Sequence, residues 1–249
     1  MKRSLLLSSL ALGMAMTTTI SFAGSKYKVI EVKDGGTITG KVTFVGDDPA
    51  PKVFAITKDQ DTCGTGNREI DFVKVKDGAL NDVVVYLSKV KQGKDFPKDI
   101  QTGGVNQEGC AFDPFIQVLK NKGEFTAKNS DPVSHNIHTY EIMGRAKKTI
   151  FNISQPNKGD VVKKVKLKRG DAMKIECDQH DFMHAFAFVA KNPYYALVAE
   201  DGTYKIEGIP AGKYKIKAWH GTLGEKKGKG KVEVKAGEEA TVNFEYKGK

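Results

Sequence analysis

One nine-residue stretch, 176–184, holds the densest set of metal-binding side chains in the chain. Its sequence, ECDQHDFMH, supplies a thiol, two imidazoles and a thioether. Soft sulfur combined with imidazole suits copper, and two His, one Cys and a weak axial Met form the ligand set of copper electron-transfer sites. Zinc also accepts Cys and His, whereas Met is a poor zinc ligand. Cys177, His180 and Met183 therefore predict most of a copper site, and a second imidazole must come from elsewhere.

The best donor of that imidazole is His135. It lies in the stretch 131–138, DPVSHNIH, where a polar turn leads into a strand. His138 follows three residues later, so the two side chains face opposite sides of the strand. Only one of them can point at a shared metal, and we expect it to be His135.

Strand patterns surround the predicted ligand loop. Residues 172–176 lead into it and residues 185–189 leave it, and a tight loop between two strands holds its side chains rigidly. Residues 101–190 give about seven strand patterns separated by turn signals, which is typical of a Greek-key sandwich. Within them, an Asn-Lys-Gly turn at 121–123 predicts a hairpin between 115–119 and 124–128.

Together the two ligand segments resemble the cupredoxins, and most closely the amicyanin-like kind. The resemblance rests on His135-Asn136 upstream and on the Cys177-x2-His180-x2-Met183 loop, and it spans about residues 101–190. It implies one type 1 (blue) copper site, with His135, Cys177 and His180 as strong ligands and Met183 as the axial one. His184 follows Met183 directly and is an alternative axial ligand.

The resemblance also implies how electrons move. A family member exchanges single electrons with a redox protein such as a c-type cytochrome or a dehydrogenase. We expect the solvent-near edge of His180 to be the electron port and Phe182 to form an apolar docking patch beside it.

Two further β regions flank this segment. Residues 24–100 contain alternating apolar positions at 37–45 and an Asp77-Gly78 hairpin signal. Residues 191–249 predict a separate unit, and its stretch 201–214 resembles the carboxypeptidase regulatory-like (prealbumin-type) β-sandwich, which implies a non-catalytic module. The predicted fold class is therefore all-β: a cupredoxin-like Greek-key sandwich with an N-terminal β region and a small C-terminal β-sandwich.

The first 23 residues predict export. A basic start is followed by an apolar run that is too short to span a membrane and by a Ser-Phe-Ala cleavage pattern ending at Ala23. We expect removal of 1–23 and a mature protein in the periplasm that does not span a membrane. The formal net charge of +10 is compatible with nucleic acid, a membrane surface or an acidic protein. Export argues against nucleic acid.

Cysteine usage agrees with an oxidising compartment. The chain has three Cys, and if Cys177 binds metal, Cys63 and Cys110 remain as a disulfide pair. The alternative is a disulfide that consumes Cys177 and abolishes the metal site.

Three function classes follow from these residues. The first is an exported blue-copper protein that carries single electrons between periplasmic partners. The second is a periplasmic copper-binding or copper-delivery protein, or a structural β-module protein, without redox turnover. The third is an enzyme, which we do not expect, because the sequence shows no second copper cluster, Ser-His-Asp set or paired carboxylates.

Overall fold

A computed structural model of the protein describes residues 27–248 and is built almost entirely from β-strands. The all-β prediction is confirmed. The predicted signal peptide and its cleavage site lie outside the described residues. Between residues 27 and 248, no helix has the length and apolar character needed to cross a membrane.

The middle of the chain forms a sandwich of two sheets. One sheet has the order β10-β9-β12-β15 and the other β11-β17-β16-β13-β14. These nine strands are β9 (Thr102–Glu108), β10 (Ala111–Asp113), β11 (Ile116–Lys120), β12 (Glu124–Asn129), β13 (His135–Met143), β14 (Ala146–Gln155), β15 (Gly159–Lys164), β16 (Ala172–Glu176) and β17 (His184–Ala190).

Eight strands and the single helix of the described chain precede this sandwich. They are β1 (Lys28–Val29), β2 (Gly36–Val45), β3 (Lys52–Ala55), α1 (Gln60–Cys63), β4 (Asn67–Ile70), β5 (Val75–Lys76), β6 (Ala79–Leu80), β7 (Val83–Ser88) and β8 (Gln92–Gly93).

Seven strands follow it. They are β18 (Tyr195–Leu197), β19 (Thr203–Ile209), β20 (Gly212–His220), β21 (Gly224–Lys227), β22 (Val232–Val234), β23 (Glu239–Thr241) and β24 (Phe244–Lys247).

The two flanking regions pair with each other and not only within themselves. Strand β2 is bonded to β19, β23 and β24, and β7 is bonded to β18 and β20. Their buried side chains form one shared core, which includes Ile38, Val85, Ile216 and Phe244. The sequence predicted a separate C-terminal unit, whereas in the structure residues from both ends of the chain complete the same two sheets. A unit of about 60 residues is marginal by itself, because it buries only about 60% of the surface that its unfolded chain exposes.

Strand β17 shows why the sandwich and the flanks pack together. Alternate side chains of a strand point to opposite faces. Ala185, Ala187 and Val189 face the core of the middle sandwich. Phe186 and Phe188 face the other way, into a second core with Tyr86 and Trp219 of the flanking strands. The strand is therefore buried on both sides.

The two predicted turns have different outcomes. Asp77 and Gly78 both have positive φ and join β5 to β6 in a two-residue hairpin, with Lys76 opposite Ala79, so the predicted turn is present. The run 82–87, which the sequence placed after this turn, is β7 and pairs with β18 and β20 instead of β5. The hairpin predicted around residues 121–123 is wrong. Strand β11 pairs with β17 and β12 pairs with β9 and β15, so the turn crosses from one sheet of the sandwich to the other.

Candidate metal centre

The predicted ligand loop connects two neighbouring strands of the middle sandwich. Strands β16 and β17 are antiparallel, with Glu176 opposite His184, so the loop 177–183 closes one end of this strand pair. The Cys177 N–H donates to the Met183 carbonyl at 3.4 Å, and the Met183 N–H donates to the His180 carbonyl at 3.0 Å. These backbone bonds fold the loop tightly and hold its three candidate ligands at the end of the sandwich.

His135 reaches the same place from the neighbouring strand. Strand β13 runs antiparallel to β16 with His138 opposite Glu176, so the start of β13 lies beside the ligand loop. The Cys177 Sγ atom lies 4.0 Å from His135 Nδ1 and 3.8 Å from His180 Nδ1, and the two Nδ1 atoms are 3.0 Å apart. All three side chains are buried. The structure thus brings together the three residues predicted as strong ligands.

The two candidates for the axial position are placed differently. Met183 is fully buried in the core that also contains Cys177. The ring of His184 packs instead against Phe72, with centroids 5.0 Å apart, and burial lowers its pKa to about 4. In residues 27–248, no cluster of three or more converging ligand atoms includes His184. We therefore keep Met183 as the axial candidate.

The Nε2 atom of each candidate imidazole has a carboxylate as its hydrogen-bond partner. Asp131 Oδ2 lies 2.8 Å from His135 Nε2, and Asp59 Oδ2 lies 2.9 Å from His180 Nε2. An imidazole that donates its Nε2–H keeps Nδ1 as a lone-pair donor, and metal-ligating His residues generally have such a partner. Both Nδ1 lone pairs then face the sulfur of Cys177.

This arrangement fits a soft metal ion. Two nitrogen lone pairs and a sulfur that converge within 4.0 Å repel one another unless a proton or a cation lies among them. Two imidazoles and one thiolate, with a Met in the same loop, form a donor set that suits copper. The residues present are thus compatible with the copper ion that the sequence predicts.

Asp131 connects His135 to the neighbouring turn. Besides His135, its carboxylate accepts the N–H groups of Gly109 at 2.7 Å and Cys110 at 2.8 Å. Burial raises the pKa of Asp131, but these hydrogen bonds outweigh burial and lower it. The group is therefore a carboxylate at neutral pH. Burial lowers the pKa of His180, which favours the neutral imidazole that a metal requires.

Asn136 positions the candidate thiolate. Its backbone N–H lies 3.5 Å from Cys177 Sγ, and its side-chain oxygen accepts the thiol of Cys177 at 3.4 Å and the N–H of Asp178 at 2.7 Å. Hydrogen bonds around a thiolate sulfur are one of the means by which a protein tunes a copper site.

His138 points away from the centre, as its spacing from His135 predicts. Its Nδ1 lies 3.0 Å from an Asp178 carboxylate oxygen, and its ring stacks on Tyr140 with centroids 4.1 Å apart. His220 also lies elsewhere, buried in strand β20 of the flanking sheets. Neither takes part in the converging set.

The predicted disulfide is present and adjoins the site. Cys63 and Cys110 are bonded to each other and Cys177 remains free. We call residues 56–66, which include α1 and Asp59, the cover. The disulfide attaches the cover to the middle sandwich, and its sulfurs lie within 4.8 Å of a ligand nitrogen of His180.

Arg68 holds the disulfide in place. Its guanidinium donates to the carbonyl oxygens of both Cys63 and Cys110 at 2.6 Å and lies 4.7 Å from the centroid of the Phe182 ring. A planar guanidinium can make these bonds and the aromatic contact at once.

The predicted electron port is wrong because the cover lies over it. The His180 side chain has no exposed surface, and Phe182 is only 4% exposed, so neither forms a docking patch. Asp59 and the disulfide occupy the side on which we expected solvent. Sequence reasoning missed Asp59 because 121 positions separate it from His180. Asp131 had a local signal, since it precedes His135 by four residues in the same polar turn.

Comparisons with known proteins give partial structural likenesses. No protein-family model matches the sequence, and no curated protein matches it. Solved structures similar to part of the chain include a purple cupredoxin from Nitrosopumilus maritimus, with 16% identity over 35% of this chain and 99% of that one and a TM-score of 0.30. A reduced auracyanin from Roseiflexus castenholzii has 14% identity over 36% of this chain and 97% of that one, with a TM-score of 0.31. An amicyanin from Paracoccus versutus has 15% identity over 44% of this chain and 99% of that one, with a TM-score of 0.30.

Proposed function

We propose that this protein is an exported one-electron carrier with a single type 1 copper site formed by His135, Cys177, His180 and Met183. The observation that carries the proposal is the convergence of Cys177 Sγ and the Nδ1 atoms of His135 and His180 within 4.0 Å in a buried site. Copper, when bound, would supply a Cu(I)/Cu(II) couple.

The side chains of the chain have separate tasks in this proposal. Cys177 is the thiolate ligand, and the backbone N–H of Asn136 would donate a hydrogen bond to its sulfur. The carboxylate partners of His135 and His180 orient both rings, which keeps the ligand geometry constant through oxidation and reduction. A preorganised geometry favours electron transfer because little reorganisation is needed.

The disulfide supports export to an oxidising compartment such as the periplasm, since structural disulfides persist there and are rare in the cytosol. There the carrier would exchange electrons with a redox protein such as a c-type cytochrome or a dehydrogenase.

The buried site argues against the other two function classes. Copper delivery requires a partner to reach the ligands, whereas His135, Cys177 and His180 are each at most 3% exposed. An enzyme requires an open coordination position for substrate. Four protein ligands beneath the cover leave none, so we propose that no substrate turns over at this metal.

The test is to load mature protein, residues 24–249, with Cu(II) and record visible absorption and electron-spin resonance. A thiolate–Cu(II) bond gives intense visible absorption, which we expect for the wild type and for the control variant His138→Ala, and which Cys177→Ser should abolish. Reversible bleaching by a one-electron reductant would establish the couple. A colourless wild type that still binds copper would reject the carrier and favour a copper-binding role without redox turnover.

A further inference from the structure

We infer that Asp59, on the cover, is a positioning residue for His180 and that it lowers the reduction potential of the centre. The inference rests on the copper site proposed above, and it adds a functional residue from the region 24–100, where the sequence predicted no site residue.

The first observation is the contact itself. Asp59 Oδ2 accepts the Nε2–H of His180 at 2.9 Å, and His180 is fully buried while 36% of the Asp59 side chain is exposed. Asp59 therefore lies between the imidazole and solvent. Since His180 belongs to a loop of only seven residues, this hydrogen bond fixes the rotation of its ring and directs Nδ1 towards Cys177.

The second observation is how firmly Asp59 is held. It precedes α1 with a left-handed backbone conformation, φ 53°, and its carbonyl accepts the N–H groups of Thr62 and Cys63 at 3.0 and 2.8 Å. Cys63 is in turn bonded covalently to Cys110, whose N–H binds Asp131, the partner of His135. The supports of the two imidazoles are thus joined through one disulfide.

The electrostatic consequence has a definite sign. A carboxylate that accepts the outer N–H of a ligating imidazole makes the ring more basic and adds negative charge near the metal. Both effects stabilise Cu(II) relative to Cu(I). Removing the charge of Asp59 should therefore raise the reduction potential, and removing the hydrogen bond should weaken metal binding.

The experiment compares Asp59→Ala, Asp59→Asn and Asp59→Glu in the full mature chain. Asp61→Ala is the matched control, because Asp61 is an exposed acid in α1, two residues after Asp59, and its side chain makes no hydrogen bond or ion pair within residues 27–248. The measurements are Cu(II) affinity by chelator competition, the reduction potential by redox titration, and the effect of added imidazole on the Cu(II) resonance spectrum. In metal-free protein, NMR reports whether the His180 Nε2–H is protected from exchange with water.

We expect Asp59→Ala to weaken Cu(II) binding about 10–100-fold, the usual effect of losing the partner of a metal-ligating His. It should also raise the potential and let imidazole alter the spectrum, with Asp59→Glu restoring wild-type values in part and Asp61→Ala changing nothing. Asp59→Asn separates charge from hydrogen bonding: a raised potential with affinity nearly retained assigns the potential to the charge.

Equal potentials and affinities in Asp59→Ala and Asp61→Ala would overturn the inference. If wild-type protein shows no thiolate-dependent absorption, the proposed function fails, and the metal-free NMR measurement still decides the role of Asp59. A protected His180 Nε2–H that is lost only in the Asp59 variants supports positioning, and an unprotected one in the wild type refutes it.

Discussion

Replacing both disulfide cysteines, Cys63→Ala together with Cys110→Ala, should destabilise the protein and loosen the cover over the candidate metal centre. The bond links residues 47 positions apart, and within residues 27–248 it is the one disulfide between the cover and the middle sandwich. Replacing both avoids leaving an unpaired thiol that air oxidation could join to Cys177 in a new disulfide.

The magnitude follows from the length of the closed loop. On the chain-entropy model, a crosslink across 47 positions stabilises the folded state by about 4 kcal/mol at 25 °C. That free energy corresponds to about a thousandfold change in the unfolding equilibrium constant. Arg68 would keep its hydrogen bonds to the carbonyl groups of positions 63 and 110, so part of the contact between cover and sandwich should survive.

Two assays on metal-free protein measure this effect. Urea unfolding followed by circular dichroism gives the free energy of unfolding, which we expect to fall by about 4 kcal/mol in the double variant. The rate at which a thiol reagent labels Cys177, which is free and 3% exposed, reports opening of the cover and should increase. An Asp61→Ala variant with the disulfide intact serves as the control for both. If the double variant unfolds at the wild-type urea concentration and labels at the wild-type rate, neither the entropic estimate nor the role of the cover is correct.

Two further predictions concern the buried titratable side chains of Glu141 and His220 and their effect on stability. Glu141 Oε1 accepts the N–H groups of residues 168–170 at 2.5–2.9 Å, so Glu141→Ala should cost roughly 3 kcal/mol of unfolding free energy and Glu141→Gln less, as urea titrations at pH 7 can check. Burial raises the pKa of Glu141, but those hydrogen bonds lower it overall. The stabilisation by the Glu141 carboxylate is therefore present above pH 4.5 and is lost as the pH falls further. An equal loss of unfolding free energy in Glu141→Ala and Glu141→Gln at pH 7 would contradict this account. Burial also lowers the pKa of His220 to about 4, so the unfolded chain takes up a proton first, and His220 by itself should lower stability by on the order of 3 kcal/mol between pH 6.5 and pH 4. His220→Asn retains an acceptor for the N–H groups of Thr222 and Leu223. In this variant the unfolding free energy should depend less steeply on pH between 6.5 and 4, and the slope that remains should be due to His184. An unchanged slope would refute the assignment of this pH dependence to His220.

Local patterns predicted much of the strand content. Alternation at 37–45 predicted β2, and the Asp77-Gly78 signal predicted the turn that joins β5 to β6, because both depend on neighbouring residues. The hairpin at 121–123 failed because a turn sequence shows only that the chain reverses. Whether the next strand pairs with the previous one or joins the opposite sheet depends on which surfaces are buried.

Sheet partners between distant segments had no such signal. Strand β2 pairs with β19, β23 and β24, about 200 positions away in the last two cases, and alternation alone does not distinguish these partners from nearer ones. The C-terminal stretch therefore read as a separate unit, although it shares a core with residues near the N-terminus.

For the candidate metal centre too, the sequence predicted some features and only the tertiary structure decided others. The sequence by itself determined the chemistry of the donors, because Cys177, His180 and Met183 lie in one short loop and His135-Asn136 begins a strand. It also determined the Cys63–Cys110 pairing once Cys177 was assigned to metal. Only the tertiary structure decided that the cover lies over His180, that Asp59 binds it, and that Phe182 is buried. The donors are local in the chain, whereas exposure and long-range hydrogen bonds exist only after distant segments have packed together.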